Sequence, residues 1–308
     1  MVKPLNNKSE KISMKVLVTG GTGFIGSNLL TALVKSGHDI SCLVRSNKLN
    51  ESKIKIIKGD LTEPTLSISD TFDVVYHLAA AWVGEKDKKV QKNVNYNGTI
   101  NLFNAVKDRT KTIVYVSGLG VFGDTKGKII DENSKPNPNT DYAKIRLEAQ
   151  NFLECKCKEN GINFTVAYLG DVYGNGGWFT NVVLERLRKG AFRIPGSGKY
   201  YRSFIHVDDV STALVSIIEK NAVNQSFIVT DSNPTTFLEF INYVSKKVGV
   251  KEPGTIPTIL AKAVLGADFV NMLTTSIRTS NSKILKICNF QYPSYQQGID
   301  AVFSELTV

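Results

Sequence analysis

The passage from Lys15 to Val34 constrains this 308-residue chain more than any other. A short apolar run, Lys15-Val16-Leu17-Val18-Thr19, leads directly into Gly20-Gly21-Thr22-Gly23-Phe24-Ile25-Gly26-Ser27. Leu29, Leu30, Leu33 and Val34 then recur at helical spacing. Glycines 20, 23 and 26 therefore fall between a predicted strand and a predicted helix. A turn this tight needs a residue without a Cβ, a second glycine lets the backbone approach a pyrophosphate, and a third lets helix and strand pack closely. The helix N-terminus presents free N–H groups and the positive end of its dipole to phosphate. Bare glycine spacing says little, but in a strand–turn–helix context it points to a dinucleotide-binding α/β fold.

The same rhythm continues. Gly37 closes the first helix and Asp39–Val44 reads as the second strand. Further strands fall at residues 55–58, 73–77, 112–117 and 164–168, with helices over 90–106 and 142–159 between them. Strands alternating with helices give a doubly wound parallel sheet of the Rossmann type. That domain is expected over residues 14–170, with 204–232 returning to it. Beyond Leu169 glycine and proline become denser, residues 251–257 read as a loop and 259–273 as helix. A smaller substrate-binding lid is expected from 171–203 and 233–308.

The end of the second strand bears on the choice of dinucleotide. An acidic residue there would bind the ribose 2′-hydroxyl and favour NAD. The chain instead reads Leu43-Val44-Arg45-Ser46-Asn47-Lys48. The Arg45 guanidinium can pair with a 2′-phosphate and stack on adenine, so NADP is expected, with NAD possible and a plain solvated loop charge as the alternative.

The net charge is +10, which admits nucleic acid, anionic lipid or an anionic small ligand as partner. Lysines and arginines are spread along the chain with no basic–aromatic block, so the charge reads as a solvated surface and no nucleic-acid partner is expected. No apolar run approaches the roughly 18 to 20 residues of a membrane span. Residues 1–13 are polar, lacking the apolar stretch of a signal peptide, and read as a disordered tail on a cytoplasmic protein. Cys42, Cys155, Cys157 and Cys288 form neither a metal-ligand nor a redox pattern, and no metal is expected.

From Met14 to about Gly298 the chain resembles the extended short-chain dehydrogenase/reductase family, in its epimerase/dehydratase branch. Thr19 to Gly26 looks like the family's opening signature, which implies cofactor contacts from Gly20, Thr22, Gly23, Phe24, Ile25 and Gly26. Gly59-Asp60-Leu61 is similar to the adenine-contacting turn, carried over to Asp60 and Leu61. His77-Leu78-Ala79-Ala80 resembles the strand end beneath the cofactor, implicating Leu78, Ala79 and Ala80, and Asn95 matches the asparagine that supports the site. The resemblance also implies a homodimer built from the helices at 90–106 and 142–159.

The family's catalysis uses a Ser or Thr that polarises the carbonyl, a Tyr that moves the proton, and a Lys that lowers the tyrosine pKa and holds the nicotinamide ribose. Tyr142 matches the tyrosine. Four residues on stands Arg146 in place of lysine, and Lys144 lies roughly 200° around the helix from Tyr142. Counting back from Gly123, Gly118 takes the place of the hydroxyl residue, leaving Ser117 one position early as the candidate.

For the substrate, Arg202 aligns with an arginine that contacts nucleotide-sugar phosphates in the epimerases, and is equally readable as an interdomain ion pair. Trp82 and Tyr173 are further candidates, and Trp82, like Trp178-Phe179, could line an apolar cleft or simply pack the lid. Ile256 to Ala261, Ser282-Lys283 and Phe290 to Pro293 look more like branches acting on apolar alcohols and ketones. His206, Asp208, Asp209 and His38 read as structural. The expected function is NAD(P)-dependent hydride transfer on a secondary alcohol, ketone or sugar, the alternative being dinucleotide binding with little turnover.

Overall fold

The computed structural model describes residues 13–46 and 51–306. Most of the expected disordered tail, and Asn47 and Lys48 beyond the second strand, lie outside the described residues. Ser13 is placed, its hydroxyl donating to the Gly37 carbonyl at 2.8 Å.

Seven strands form one parallel sheet: β1 (Lys15–Thr19), β2 (Asp39–Val44), β3 (Ile54–Lys58), β4 (Phe72–His77), β5 (Thr110–Gly118), β6 (Asn163–Leu169) and β7 (Ser226–Val229). Their spatial order is β7-β6-β5-β4-β1-β2-β3, reversing between β4 and β1 in the manner of a Rossmann sheet. Val16, Leu17 and Val18 of β1 are all fully buried, as a strand covered by helices on both faces requires.

Helices α1 (Phe24–Ser36), α2 (Lys88–Lys92), α3 (Gly98–Val106), α4 (Asp141–Glu159) and α5 (Val207–Glu219) cover the sheet. One core joins Val16 and Val18 to Leu29 and Leu33 of α1 and Leu214 and Ile217 of α5. The other joins Leu17 and Val75 to Leu102 of α3 and Leu153 of α4. Helix α1 ends at Gly37, whose φ of 82° is the left-handed conformation glycine supplies at low cost. The C-terminal part adds α6 (Phe237–Val248), α7 (Thr258–Leu265), α8 (Ala267–Thr274) and α9 (Tyr295–Leu306) around a third, aromatic core that includes Tyr173, Phe179, Phe204 and Phe240.

Two helices expected from the sequence are interrupted. Between α2 and α3 the backbone takes a wide π-turn at Asn93–Asn97. Asn95 is fully buried there, its Oδ1 accepting the Ala81 N–H at 2.8 Å, while the Thr99 hydroxyl donates to the Asn95 carbonyl at 2.7 Å. The helix expected over 259–273 breaks at Gly266, whose φ of 92° and ψ of 143° end α7 and start α8. The loop at 251–257 carries a short parallel pairing of Thr255–Ile256 with Ile194–Pro195.

A buried polar chain ties the ends of β1 and β4 to the π-turn. Thr99 spends its only hydroxyl proton on Asn95, so it accepts from His77 Nε2–H at 2.9 Å. The Nδ1 of His77 then accepts from the Thr19 hydroxyl at 2.8 Å, and Thr19 Oγ1 accepts the Ala79 N–H at 3.3 Å. This pattern fits a neutral imidazole. Burial first, and the Arg146 charge second, hold the His77 pKa down to about 3.

That depression has a definite sign. The unfolded imidazole takes its proton near about pH 6.5, so below that value the unfolded state binds more protons and acid withdraws stability. Buried Asp231 acts oppositely, because burial pushes its pKa up to about 8 and its protonated form gains stability as pH falls. The two are separated with His77→Gln, which cannot take up charge. The stability gap between wild type and His77→Gln, read by urea unfolding, is expected to narrow by about 2 kcal/mol between about pH 7 and about pH 5. An unchanged gap would show that His77 is not held neutral.

Candidate active site

The glycine turn joins β1 to α1 at the carboxyl end of the sheet. Gly20 has φ 75°, and a Cβ there would stand 2.7 Å from the Ala79 nitrogen. A Cβ on Gly26 would collide with the Gly20 carbonyl oxygen. Both glycines are demanded by the chain itself. Gly23 differs: its φ of −82° and ψ of 171° suit any residue, and the nearest atom to an added Cβ is the Gly20 oxygen at 3.3 Å. It is exposed, and α1 begins at it with neither a side-chain cap nor an acidic residue in the first turn. A helix N-terminus left open behind such a cradle suits the phosphates of a dinucleotide.

The other candidate cofactor residues gather along the same sheet end. Thr22 is exposed beside Gly23, and Phe24 and Ile25 line the adjoining cleft with Leu78 and Ala80. The Leu78 N–H donates to the Thr19 carbonyl at 3.2 Å, fixing the start of the Leu78-Ala79-Ala80 segment. Arg45 is exposed immediately past β2. Asp60 follows β3, its Oδ1 accepting from the backbone N–H (2.9 Å) and hydroxyl (2.8 Å) of Thr62. Leu61 is buried, with Asn101 Nδ2 donating to its carbonyl at 2.8 Å.

The cleft holds about 350 Å³ and runs from α1 across the end of β5 to α4 and α8. Tyr142 faces it from the first turn of α4, half-buried. That turn is fixed twice. The Thr140 hydroxyl accepts the Ala143 N–H at 3.2 Å, and the Asp268 carboxylate of α8 accepts the N–H groups of Asp141 (2.9 Å) and Tyr142 (3.1 Å).

One turn further on, Arg146 is buried with its guanidinium 4.5 Å from the centre of the Tyr115 ring. Its Nη2 donates to the Val116 carbonyl at 2.5 Å, while Nη1 is buried without a hydrogen-bond partner among the described residues. The Ser117 hydroxyl is likewise buried and unpartnered. At Gly118, φ −132° and ψ 159° accept any residue, and an added Cβ meets nothing within 4 Å. The space for a hydroxyl exists, but the hydroxyl does not. Lys144 is exposed, its Nζ 3.7 Å from Asp141, away from this constellation.

The substrate candidates divide. Arg202 lines the cleft but is held by the chain: Nε and Nη2 donate to the two Asp171 carboxylate oxygens at 2.5 Å each, and Nη1 to the carbonyls of Met272 (2.9 Å) and Thr275 (3.1 Å). Tyr173 does not reach the cleft. Its ring is fully buried against Phe179, Phe204 and Phe240, and α9 approaches so closely that a Cβ on Gly298 would collide with its hydroxyl. Trp82 is 69% exposed and packs on Phe269 of α8, outside the cleft lining. Trp178 does line the cleft, its indole N–H donating to the Val172 carbonyl at 2.6 Å, whereas Phe179 belongs to the aromatic core.

Several residues here escaped the sequence reading. Val83, Leu119, Val121, Met272 and Ile277 line the cleft, and Asp268 and Asp171 orient its polar groups. Apolar residues in loops carry no distinguishing signal, and the two aspartates act on partners far away in sequence. His206 caps α5 by accepting the Asp208 N–H at 3.3 Å, and Asp209 accepts the N–H groups of Gln291 (2.7 Å) and Tyr292 (2.9 Å). His38 accepts the Met14 N–H at 3.2 Å.

With this geometry in place, the model of the NAD dependent epimerase/dehydratase family matches residues 16–229. The chain belongs to that family. Its relatives include a Stigmatella aurantiaca 4-hydroxy-2-methyl-3-oxo-4-farnesyl-3,4-dihydroquinoline-1-oxide ketoreductase, 27% identical over 81% of this chain and 78% of the relative. A Streptomyces 3-diazoavenalumate denitrifying reductase is 26% identical over 93% of this chain and 99% of the relative. Among solved structures, the human epimerase family protein SDR39U1 with NADPH superposes with a TM-score of 0.79 at 21% identity, covering 94% of this chain and 99% of its own. The Thermus thermophilus UDP-glucose 4-epimerase complex with NAD gives 0.80 at 20% identity, covering 96% and 99%. At those identities the likeness is one of fold. Family membership makes the chain a nicotinamide-dinucleotide-dependent enzyme.

The contrast between the glycines is testable. Gly23→Ala is expected to lower the melting temperature only slightly, because the Gly20 oxygen 3.3 Å away must give a little, while weakening NADPH binding at least about tenfold, roughly 1.4 kcal/mol. Gly26→Ala is expected to cost about 2 kcal/mol, lowering the melting temperature by roughly 4–8 °C. Thermal melts and fluorescence titration with NADPH check both. Undiminished binding by a folded Gly23→Ala would move the phosphate site elsewhere.

Proposed function

We propose that the chain transfers hydride between a nicotinamide cofactor, preferentially NADP, and a secondary alcohol, ketone or sugar carbon. The observation that carries this reading is the placement of Tyr142 and buried Arg146 one turn apart on α4, on the cleft that adjoins the Gly23 cradle. A bound nicotinamide supplies or accepts the hydride. In the reducing direction the Tyr142 hydroxyl gives its proton to the substrate oxygen as negative charge develops there. Arg146 keeps a fixed positive charge one helical turn from Tyr142, against the Tyr115 ring. A guanidinium does not release a proton near neutral pH, so Arg146 does not relay one. Its free Nη1 and the Ser117 hydroxyl are the donors available to an acceptor oxygen in the cleft.

The ketoreductase and reductase names of the relatives support this chemistry, and Arg45 past β2 supports NADP. The same reading divides the chain into a dinucleotide domain of residues 14–170 with 204–232 and a lid of 171–203 with 233–308, in a cytoplasmic homodimer. The pairing of β7 with β6 fits that division. No helix of the described residues is long and apolar enough to cross a membrane. The bare Gly118 favours a second reading, a dinucleotide-binding protein with little turnover.

Single-turnover NADPH oxidation against ketones, aldehydes and nucleotide sugars separates the two. Tyr142→Phe is expected to bind NADPH as wild type does and to lose about 10²-fold or more in rate. Gly118→Ser, which the structure accommodates without displacement, is expected to raise the rate about tenfold, and Arg146→Lys added to it to raise the rate more than additively. No oxidation in any variant would support the second reading.

The cofactor preference is checked by calorimetry. NADPH is expected to bind tighter than NADH, and Arg45→Ala to bring the two affinities together; equal affinities in the wild type would overturn the NADP assignment.

A further inference from the structure

Two guanidiniums reach the cleft wall, and their states are opposite. Each offers five N–H donors. Arg202 gives two of them to the Asp171 carboxylate in a bidentate pair at 2.5 Å and directs Nη1 to the carbonyls of Met272 and Thr275 at 2.9 and 3.1 Å. It is only 6% exposed, and the carboxylate cancels its charge. A phosphate approaching it would have to displace that carboxylate and then lie beside it, with like charges opposed.

Arg146 is open to hydrogen bonding. Among the described residues lining the cleft, the buried side-chain nitrogens and oxygens without partners are Arg146 Nη1 and Ser117 Oγ, close to Tyr142. Much of the remaining lining is apolar, including Val83, Leu119, Val121, Met272 and Ile277. Trp178 adds an aromatic surface whose N–H is already committed to Val172. The cleft therefore offers free hydrogen-bond donors at Arg146 and Ser117, a self-neutralised ion pair at Asp171 and Arg202, and a largely apolar remainder.

We propose that Asp171 determines the substrate class: by holding Arg202 inside the chain, it closes the cleft to phosphate and selects uncharged, largely apolar carbonyl compounds. The inference rests on the hydride-transfer reading above and narrows its substrate. Asp171 acts through Arg202, as a positioning residue, and takes no part in the reaction.

The test is calorimetric binding to the NADPH-loaded protein, with uridine diphosphate as the phosphate probe and 4-phenylbutan-2-one as the apolar ketone probe. Wild type is expected to bind the ketone and to show no binding of uridine diphosphate up to about 5 mM. Asp171→Asn keeps a hydrogen-bond acceptor but removes the charge, and is expected to raise uridine diphosphate affinity at least about tenfold. Wild-type binding of uridine diphosphate at or below about 5 mM overturns the proposal, as does a wild type that binds neither probe. A variant with wild-type circular dichroism and NADPH affinity that still ignores uridine diphosphate overturns it too. Should Asp171→Asn fail to fold, the wild-type comparison decides alone. Failure of NADPH to bind would strike the hydride-transfer reading instead, with both probes then read on the free chain.

Discussion

The backbone of Gly26 lies against the carbonyl of Gly20, closer than any side chain would permit. This contact brings the start of α1 to the end of β1 and leaves the helix N-terminus facing outward with no cap from its own side chains. Everything at that end of the sheet is then fixed in turn. Gly20 packs on the Ala79 backbone, Thr19 and His77 join β1 to β4, and Thr99 and Asn95 carry the same hydrogen-bonded chain into the π-turn. The neutral His77 accepts from Thr19 while donating to Thr99, which links the two strand ends, and at the far end of the chain Asn95 Nδ2 is buried without a hydrogen-bond partner among the described residues.

Across the cleft a different balance operates. Arg146 is a cation buried with one carbonyl and one aromatic face as partners, far short of its five donors. Leaving donors of a buried charge unpaired is costly, of order 1–3 kcal/mol for a polar group and more for a charged one. Such a cost is characteristic of sites whose missing partner is a ligand. Arg202 shows a guanidinium in the same cleft with all three nitrogens partnered, and the contrast between the two gives the site its polarity.

Much of this was legible in the sequence. Six of the seven sheet strands are apolar runs that mark themselves in the sequence, Ser226–Val229 being the one not read, and the glycine turn lies where its neighbours give it meaning. The π-turn was not legible, because it depends on Asn95 finding the Ala81 N–H, a contact outside its own helix. Gly266 stood within a helical pattern that most single glycines tolerate, and only its positive φ shows the break. Tyr173 and Trp82 show the same limit from the other side. An aromatic residue in a loop carries no mark of what will cover it, and one is sealed beneath α9 while the other stands in solvent. Asp171 and Asp268 act on residues 31 and 126 positions away, distances at which sequence pattern is silent.

The central claim is that Tyr142 and Arg146 sit where hydride passes between a nicotinamide and a carbon in this cleft. The most direct measurement uses NADPH deuterated on one face of nicotinamide C4, incubated with the protein and a reducible ketone, with mass spectrometry of the alcohol. The account predicts deuterium on the carbinol carbon from one labelled face and none from the other. Tight NADPH binding with no label in any product from either face would contradict it.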